Sequence, residues 1–188
     1  MKRICLFASG SGSNVENIAR YFKEHGGVNI TSVVTNNKNA GVIERCERLG
    51  IRLIYIDPEE LQTKGFIKEV VVGQKVDLIV LAGYLKKIPD DLIEAFPQKI
   101  VNIHPALLPK YGGKGMYGMN VHRAVKEAGD KESGISIHFV DEHYDNGDLI
   151  EQHRVALSED DSPEDIAQKV HQLEYEYFPK AIAKLLDV

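Results

Sequence analysis

Five short runs constrain the architecture before any motif is considered. They are Ile4-Cys5-Leu6-Phe7, Ile30 to Thr35, Ile51 to Ile56, Val76 to Leu81, and Ile100-Val101-Asn102-Ile103. Each is short and largely apolar with little alternation, and the last is rich in β-branched residues. Near-continuous runs of this kind belong to strands covered on both faces, as in parallel sheets. Between them lie helical patterns. Val15, Ile18, Tyr21 and Phe22 fall at helical spacing. Ala40 to Leu49 predicts a second helix, stopped by Gly50 just beyond its end. A third helix is expected over roughly Glu59 to Gly73, with Asp57 as its N-cap, and a short fourth from about Pro89 to Phe96. Strand–helix units repeated at this length predict an α/β fold: a Rossmann-like, doubly wound, mostly parallel sheet.

The later part of the chain reads differently. Gly134 to Val140 alternates polar and apolar residues, which predicts a half-exposed strand. Leu149 to Leu157 predicts another, and Asn146-Gly147 between them is a tight-turn signal. Together they predict an antiparallel strand pair near the C-terminal part. A helix is expected over Val121 to Ala128, ending at Gly129. A last one, capped by Ser162, should run to about Leu186. No repeat or linker divides the 188 residues, so one domain over 1–188 is expected.

Composition narrows the function classes. The formal net charge is −5 and no basic block occurs, which argues against nucleic acid as the main partner. The longest apolar runs, such as Leu78 to Ala82, are too short to cross a bilayer. Cys5 falls in a predicted strand and Cys46 in a predicted helix, so neither a disulfide framework nor a metal cluster is expected, and a cytoplasmic location follows.

Two stretches carry candidate chemistry. Ser9-Gly10-Ser11-Gly12-Ser13-Asn14 joins the first strand to the first helix, with Ser13 or Asn14 expected at the N-cap. A glycine-rich turn at a helix N-terminus presents backbone N–H groups to an anion. Val15 stands where a dinucleotide fingerprint needs its third glycine, and no Gly-Lys-Ser/Thr follows, so a phosphate monoester fits better than a dinucleotide. A tight turn without a ligand stays open. Farther on, Asn102 and His104 are two apart on the fifth strand and share a face just before Pro105. One offers an amide donor, the other an imidazole that titrates near neutral pH. The C-terminal end of such a strand is where open α/β sheets bind ligands. A turn-capping Asn102 beside a core His104 is the bland alternative. The glycine-rich segment Tyr111 to Met119 that follows is a candidate lid. Asp141, Asp145 and Asp148 do not have EF-hand spacing, and a solvated acidic turn is expected there.

Asn102-Ile103-His104-Pro105-Ala106-Leu107-Leu108-Pro109 resembles the signature of the folate-dependent formyltransferases. Gly10-Ser11-Gly12-Ser13-Asn14 makes the chain similar to the branch that formylates a ribonucleotide, and the likeness covers nearly the whole length. The resemblance implies transfer of a formyl group from 10-formyltetrahydrofolate, a co-substrate, to the amine of phosphoribosylglycinamide in purine biosynthesis. It implies a catalytic set of Asn102, His104 and Asp145, with His104 adding to stabilisation of the reacting oxygen. Gly12, Ser13, Asn14 and Val15 would hold the substrate phosphate and Glu174 the ribose hydroxyls. Lys64, Tyr84, Leu85, Lys86, Lys87, Ile88, Asn102, Val140, Asp141 and Asp145 would line the folate side. It further implies small-molecule substrates, no metal, no nucleic acid, no membrane, and a monomer or weak homodimer. The chain departs from the family pattern at Lys64 and Lys86, where Arg is frequent, at Asn120, where His is frequent, and in its longer glycine loop. A 10-formyltetrahydrofolate hydrolase and a non-catalytic phosphate-sensing domain are the competing readings.

Overall fold

The computed structural model describes residues 1–188, the side chain of Pro58 excepted. The chain forms two compact units: Met1–Val101 with Ile182–Val188, and Asn102–Ala181.

The first unit holds β1 (Lys2–Phe7), α1 (Ser13–His25), β2 (Val28–Thr35), α2 (Val42–Leu49), β3 (Leu53–Tyr55), α3 (Pro58–Gln62), α4 (Phe66–Val72), β4 (Leu78–Leu81), α5 (Asp90–Ala95) and the start of β5 (Ile100–His104). β1 pairs in parallel with β2 on one side and β4 on the other, and β2 pairs in parallel with β3. The chain therefore steps outward from β1 to β3, then returns past both to β4. Crossovers between parallel strands are right-handed, so reversing the direction moves the helices to the opposite face. α1 packs on α2, while α4 packs against α3 and α5. Ile4, Leu6, Phe7, Ile79 and Ile100 are fully buried within this layered core. The strand order reverses between β1 and β4, and that reversal is the point at which such sheets bind ligands.

The second unit begins within β5 and holds α6 (Met119–Ala128), β6 (Glu132–Phe139), β7 (Leu149–Ala156) and most of α7 (Pro163–Leu186). β6 and β7 are antiparallel. The strand order is β3-β2-β1-β4-β5-β6-β7. Ser162 caps α7: its Oγ accepts from the Asp165 N–H at 3.1 Å, while the Asp165 carboxylate accepts from the Ser162 N–H at 2.9 Å. Among the described residues, no helix is long and apolar enough to cross a membrane.

Four expectations need correction. The helix expected over Glu59–Gly73 is two, because Thr63 is extended and Gly65 takes φ +85°, which no helix interior accepts. β6 is buried along most of its length rather than half-exposed. Ser136 on this strand has partners: its Oγ donates to the Ala106 carbonyl at 2.6 Å and accepts from the Leu108 N–H at 2.9 Å. Asn146-Gly147 does not make a two-residue hairpin turn. Residues 140–148 form a longer connection, and the left-handed residue in it is Asp145, at φ +53°. Finally, α1 is capped by neither Ser13 nor Asn14. Its N-cap is Gly12, with no side-chain cap.

Gly12 lies at φ +77°, and a Cβ there would sit 2.5 Å from Val42 Cγ2. The glycine is thus required by the left-handed backbone and by the packing of α2. The same loop is strapped down elsewhere: the Val42 N–H donates to the Gly10 carbonyl at 3.1 Å, and Arg45 Nε donates to the Ser11 carbonyl at 2.7 Å. Gly10, in contrast, has open space where a Cβ would stand. Gly12→Ala should therefore lower stability by about 1–3 kcal/mol from backbone strain, with the Val42 contact adding to it. Gly10→Ala should stay within about 0.5 kcal/mol of the parent. Urea unfolding of the two variants checks this.

Candidate active site

In the first unit the candidate residues gather at the β1/β4 reversal. The Ser9 N–H donates to the Gly83 carbonyl at 3.0 Å, Ser9 Oγ donates to Asn36 Oδ1 at 2.6 Å, and the Leu85 N–H donates to Ser9 Oγ at 3.0 Å. The segment after β4 is therefore tied to the loop after β1. Beyond that loop α1 begins without a side-chain cap, so its first N–H groups present partial positive charge. Glu16, buried one turn in, is paired with Arg20, Arg45 and Arg48. A buried carboxylate needs such partners, and Arg45 passes the tie on to the Ser11 carbonyl. Ser13 is half-buried, while Asn14 and Val15 are buried.

Tyr84 and Ile88 point inward. The Tyr84 ring meets Phe7 edge-on at 5.3 Å, and burial pushes its phenol up to about 12. Leu85, Lys86 and Lys87 are exposed. Lys64 is also exposed, in the break between α3 and α4.

The second unit brings Asn102, His104 and Asp145 together. Asp145 Oδ2 lies 3.4 Å from His104 Nδ1, and Asp145 Oδ1 accepts from Asn102 Nδ2 at 3.5 Å. The Gly113 N–H donates to Asp145 Oδ2 at 2.9 Å. Burial pulls the Asp145 carboxyl up, but the His104 ring, the Gly113 N–H and His138 outweigh it and hold it below the usual carboxylate range. The group is ionised at neutral pH and acts only as an acceptor.

Both nitrogens of His104 are engaged. Nε2 donates to the Tyr111 carbonyl at 2.8 Å, and Nδ1 faces Asp145. The ring is buried, with Nε2 taken by the Tyr111 carbonyl and Nδ1 facing Asp145.

Sequence reasoning assigned no role to His138, and none to the Tyr111 carbonyl or the Gly113 N–H. His138 Nδ1 donates to the Phe139 carbonyl at 2.7 Å, so Nε2 is bare and accepts from Asn102 Nδ2 at 3.1 Å. Burial keeps this imidazole's pKa low, and His104 lowers it further against the raising effect of Asp145. Two acceptors, His138 Nε2 and Asp145, thus fix which end of the Asn102 amide turns inward. The available signal was a histidine near the end of an apolar strand, which pattern alone does not distinguish from core.

Asp141, half-buried, accepts from the His143 N–H at 2.8 Å and from Asn146 Nδ2 at 2.9 Å. The acidic turn is internally bonded rather than simply solvated, and Asn146 works through its side chain. Val140 is half-buried beside Asp141, and Glu174 is buried on α7. Asn120 is exposed and donates to the Gly115 carbonyl at 3.2 Å.

The chain matches the Formyl transferase family over residues 2–182. It is 38% identical to the chloroplastic phosphoribosylglycinamide formyltransferase of Arabidopsis thaliana, across 99% of this chain and 66% of that protein. The chain thus spans just under two thirds of the plant relative's length. It is 37% identical to the phosphoribosylglycinamide formyltransferase of Bacillus subtilis (strain 168), across 99% of this chain and 95% of that one. The crystal structure of glycinamide ribonucleotide transformylase 1 from Symbiobacterium toebii matches with a TM-score of 0.91 at 31% identity, covering 100% of this chain and 88% of the other.

A second histidine near the set adds to the pH dependence of stability. His122 on α6 is buried, its Nδ1 has no hydrogen-bond partner, and it meets His171 edge-on at 6.5 Å. Burial, then His171 and His104, press its pKa down from 6.5 to about 4. A base with a depressed pKa binds fewer protons when folded. Its stabilisation is complete above pH 6.5 and is lost as pH falls toward 4. The loss amounts to about 3 kcal/mol. Urea unfolding between pH 4 and 7 should give a shallower pH slope for His122→Leu than for the parent.

Proposed function

The chain belongs to the formyl transferase family, and on that footing we propose that it transfers a formyl group from 10-formyltetrahydrofolate to the amine of phosphoribosylglycinamide, a step of purine biosynthesis. The observation that carries the reading is the Asp145 carboxylate at the end of β5, facing the His104 ring and the Asn102 amide together. The names of the relatives support the acceptor. We assign the whole chain to one functional domain.

The amine nitrogen attacks the formyl carbon, and negative charge develops on the formyl oxygen. The Asn102 N–H that reaches Asp145 at 3.5 Å is in the weaker of its two bonds, and it is the one open to sharing with that oxygen. Asp145, ionised, accepts a proton from the amine nitrogen as the new C–N bond forms. His104 sets its Nδ1 edge against that carboxylate at 3.4 Å and fixes where it lies. Collapse breaks the bond from the formyl carbon to N10 of the folate, and N10 takes up the proton. No covalent enzyme intermediate is needed.

The uncapped start of α1, with Gly12, Ser13, Asn14 and Val15, is assigned the 5′-phosphate, and Glu174 the ribose hydroxyls. Lys64, Leu85, Lys86, Lys87, Val140 and Asp141 are assigned to the folate, with the backbone of Tyr84 and Ile88.

An absorbance assay with a 10-formyl folate tests the reaction. Folate product should appear only when phosphoribosylglycinamide is added; product at an equal rate without it would identify a hydrolase. Asn102→Ala and Asp145→Asn should each cut kcat by about 10²–10³ while leaving the fold intact. Turnover near the parent's removes that residue from the set.

A further inference from the structure

His104 and Asp145 do not hold each other unaided. Both lean on one short stretch of the loop after β5. The Tyr111 carbonyl accepts from His104 Nε2 at 2.8 Å, and two residues on, the Gly113 N–H donates to Asp145 Oδ2 at 2.9 Å. A carbonyl only accepts, so it requires the proton to be on Nε2. That leaves Nδ1 as the nitrogen that meets Asp145, at 3.4 Å.

The loop adopts a conformation its sequence does not favour. Tyr111 sits at φ +56°, a region that bulky residues avoid. Gly112 beside it is closely packed: a Cβ would lie 2.7 Å from Leu108 Cδ2, which would have to shift, and 3.3 Å from Asp145 Cβ. Strained residues persist only where surrounding contacts over-determine them. The contact here is the phenol. Tyr111 Oη donates to Asp130 Oδ2 at 2.9 Å, and Asp130 also takes Lys110 Nζ at 3.3 Å. Burial and the Asp130 carboxylate both raise the phenol's pKa, so it stays protonated and donating.

We propose that Tyr111, anchored through its phenol to Asp130, is the positioning residue for His104: it holds a backbone carbonyl in a strained place so that the imidazole donates from Nε2 there and turns its Nδ1 edge to Asp145. The role rests on His104 and Asp145 belonging to the reacting set. Neither Tyr111 nor Asp130 touches substrate in it. The bond from the phenol to Asp130 acts at a distance, through the backbone, on the orientation of a ring.

The test compares Tyr111→Phe, Asp130→Ala and Asp130→Asn with the parent and with His104→Ala, using full-length protein. Two quantities are read: kcat and KM for the ribonucleotide, and the ¹⁵N shifts of the His104 ring. Tyr111→Phe and Asp130→Ala should lower kcat about tenfold with KM within about twofold. The His104 Nε2 signal should lose the shift of a hydrogen-bonded N–H. Asp130→Asn keeps an acceptor for the phenol while discarding the Lys110 ion pair, and should retain most of kcat and the parent ¹⁵N pattern. A parent-like kcat and ¹⁵N pattern in Tyr111→Phe overturns the proposal. So does an Asp130→Asn variant that falls as far as Asp130→Ala, since the Lys110 pair would then be what matters. Should His104→Ala turn over normally, the catalytic reading of His104 fails; the ¹⁵N pattern of the Tyr111 and Asp130 variants still decides the positioning.

Discussion

The second unit is arranged around one ionised carboxylate. Asp145 is held largely out of water, where an unpaired charge is costly and a charge with several donors is not. Groups converge on it from three directions: an amide and a backbone N–H donate to it, and the His104 ring faces it. Each of them has its own requirement. Asp145 must sit at φ +53°, which Asp tolerates because its short polar side chain can bond locally. Gly112 lets the loop close on Leu108 and Asp145, where a Cβ would make Leu108 shift. Tyr111 must accept a left-handed backbone. His138 must stay neutral, or the Asn102 amide would lose the acceptor that orients it. Local preferences are broken at several neighbouring positions, and the carboxylate is the common reason.

The first unit solves a different problem with a similar device. A helix start that is to receive an anion cannot be capped by its own side chains, so the loop leading into it needs other restraints. Glu16 supplies them indirectly. It is buried, it gathers three arginines, and one of these reaches the Ser11 carbonyl. Gly12 lets α2 come close enough for the Val42 N–H to meet the Gly10 carbonyl. The glycines of this loop therefore do separate jobs. Gly12 is a packing and conformational requirement, and only Gly10 leaves open space above the backbone.

Much of this was legible in the chain itself, for identifiable reasons. The parallel sheet follows from unalternated apolar runs, and the ends of α2, α6 and α7 follow from Gly50, Gly129 and Ser162, whose local chemistry leaves few alternatives. Asn102 and His104 stand out because strand geometry puts them on one face. Asp145 does not; it is one acid in an acidic turn, and only family resemblance singled it out. β6 was misjudged because alternation is read as exposure, whereas Ser136 and His138 are buried with partners supplied from distant positions in the chain. Spacing cannot see those partners. The break at Thr63 to Gly65 was missed because one glycine within a helical pattern is usually tolerated. The roles of Tyr111 and Gly113 belong to their backbones, and a residue's identity says little about what its carbonyl or N–H touches.

A count of donors shows how such a site can be held rigid and yet remain reactive. The Asn102 amide has two N–H bonds to give. One goes to His138 at 3.1 Å, and the other reaches Asp145 only at 3.5 Å, the weak limit of a hydrogen bond. His104 has two nitrogens, and neither is spare. The arrangement therefore contains one loosely held donor, next to the one ionised acceptor. In the proposed reaction these are the two groups the chemistry asks for: a donor for the oxygen that gains charge and an acceptor for the proton the amine loses. Sharing that single long bond with a substrate oxygen leaves the Asn102 amide where it is, and with it the bond to His138. It also leaves an Asp145 lone pair less engaged at the moment the proton arrives. Little reorganisation remains for the reacting step, which is the condition under which fixed dipoles stabilise a transition state most.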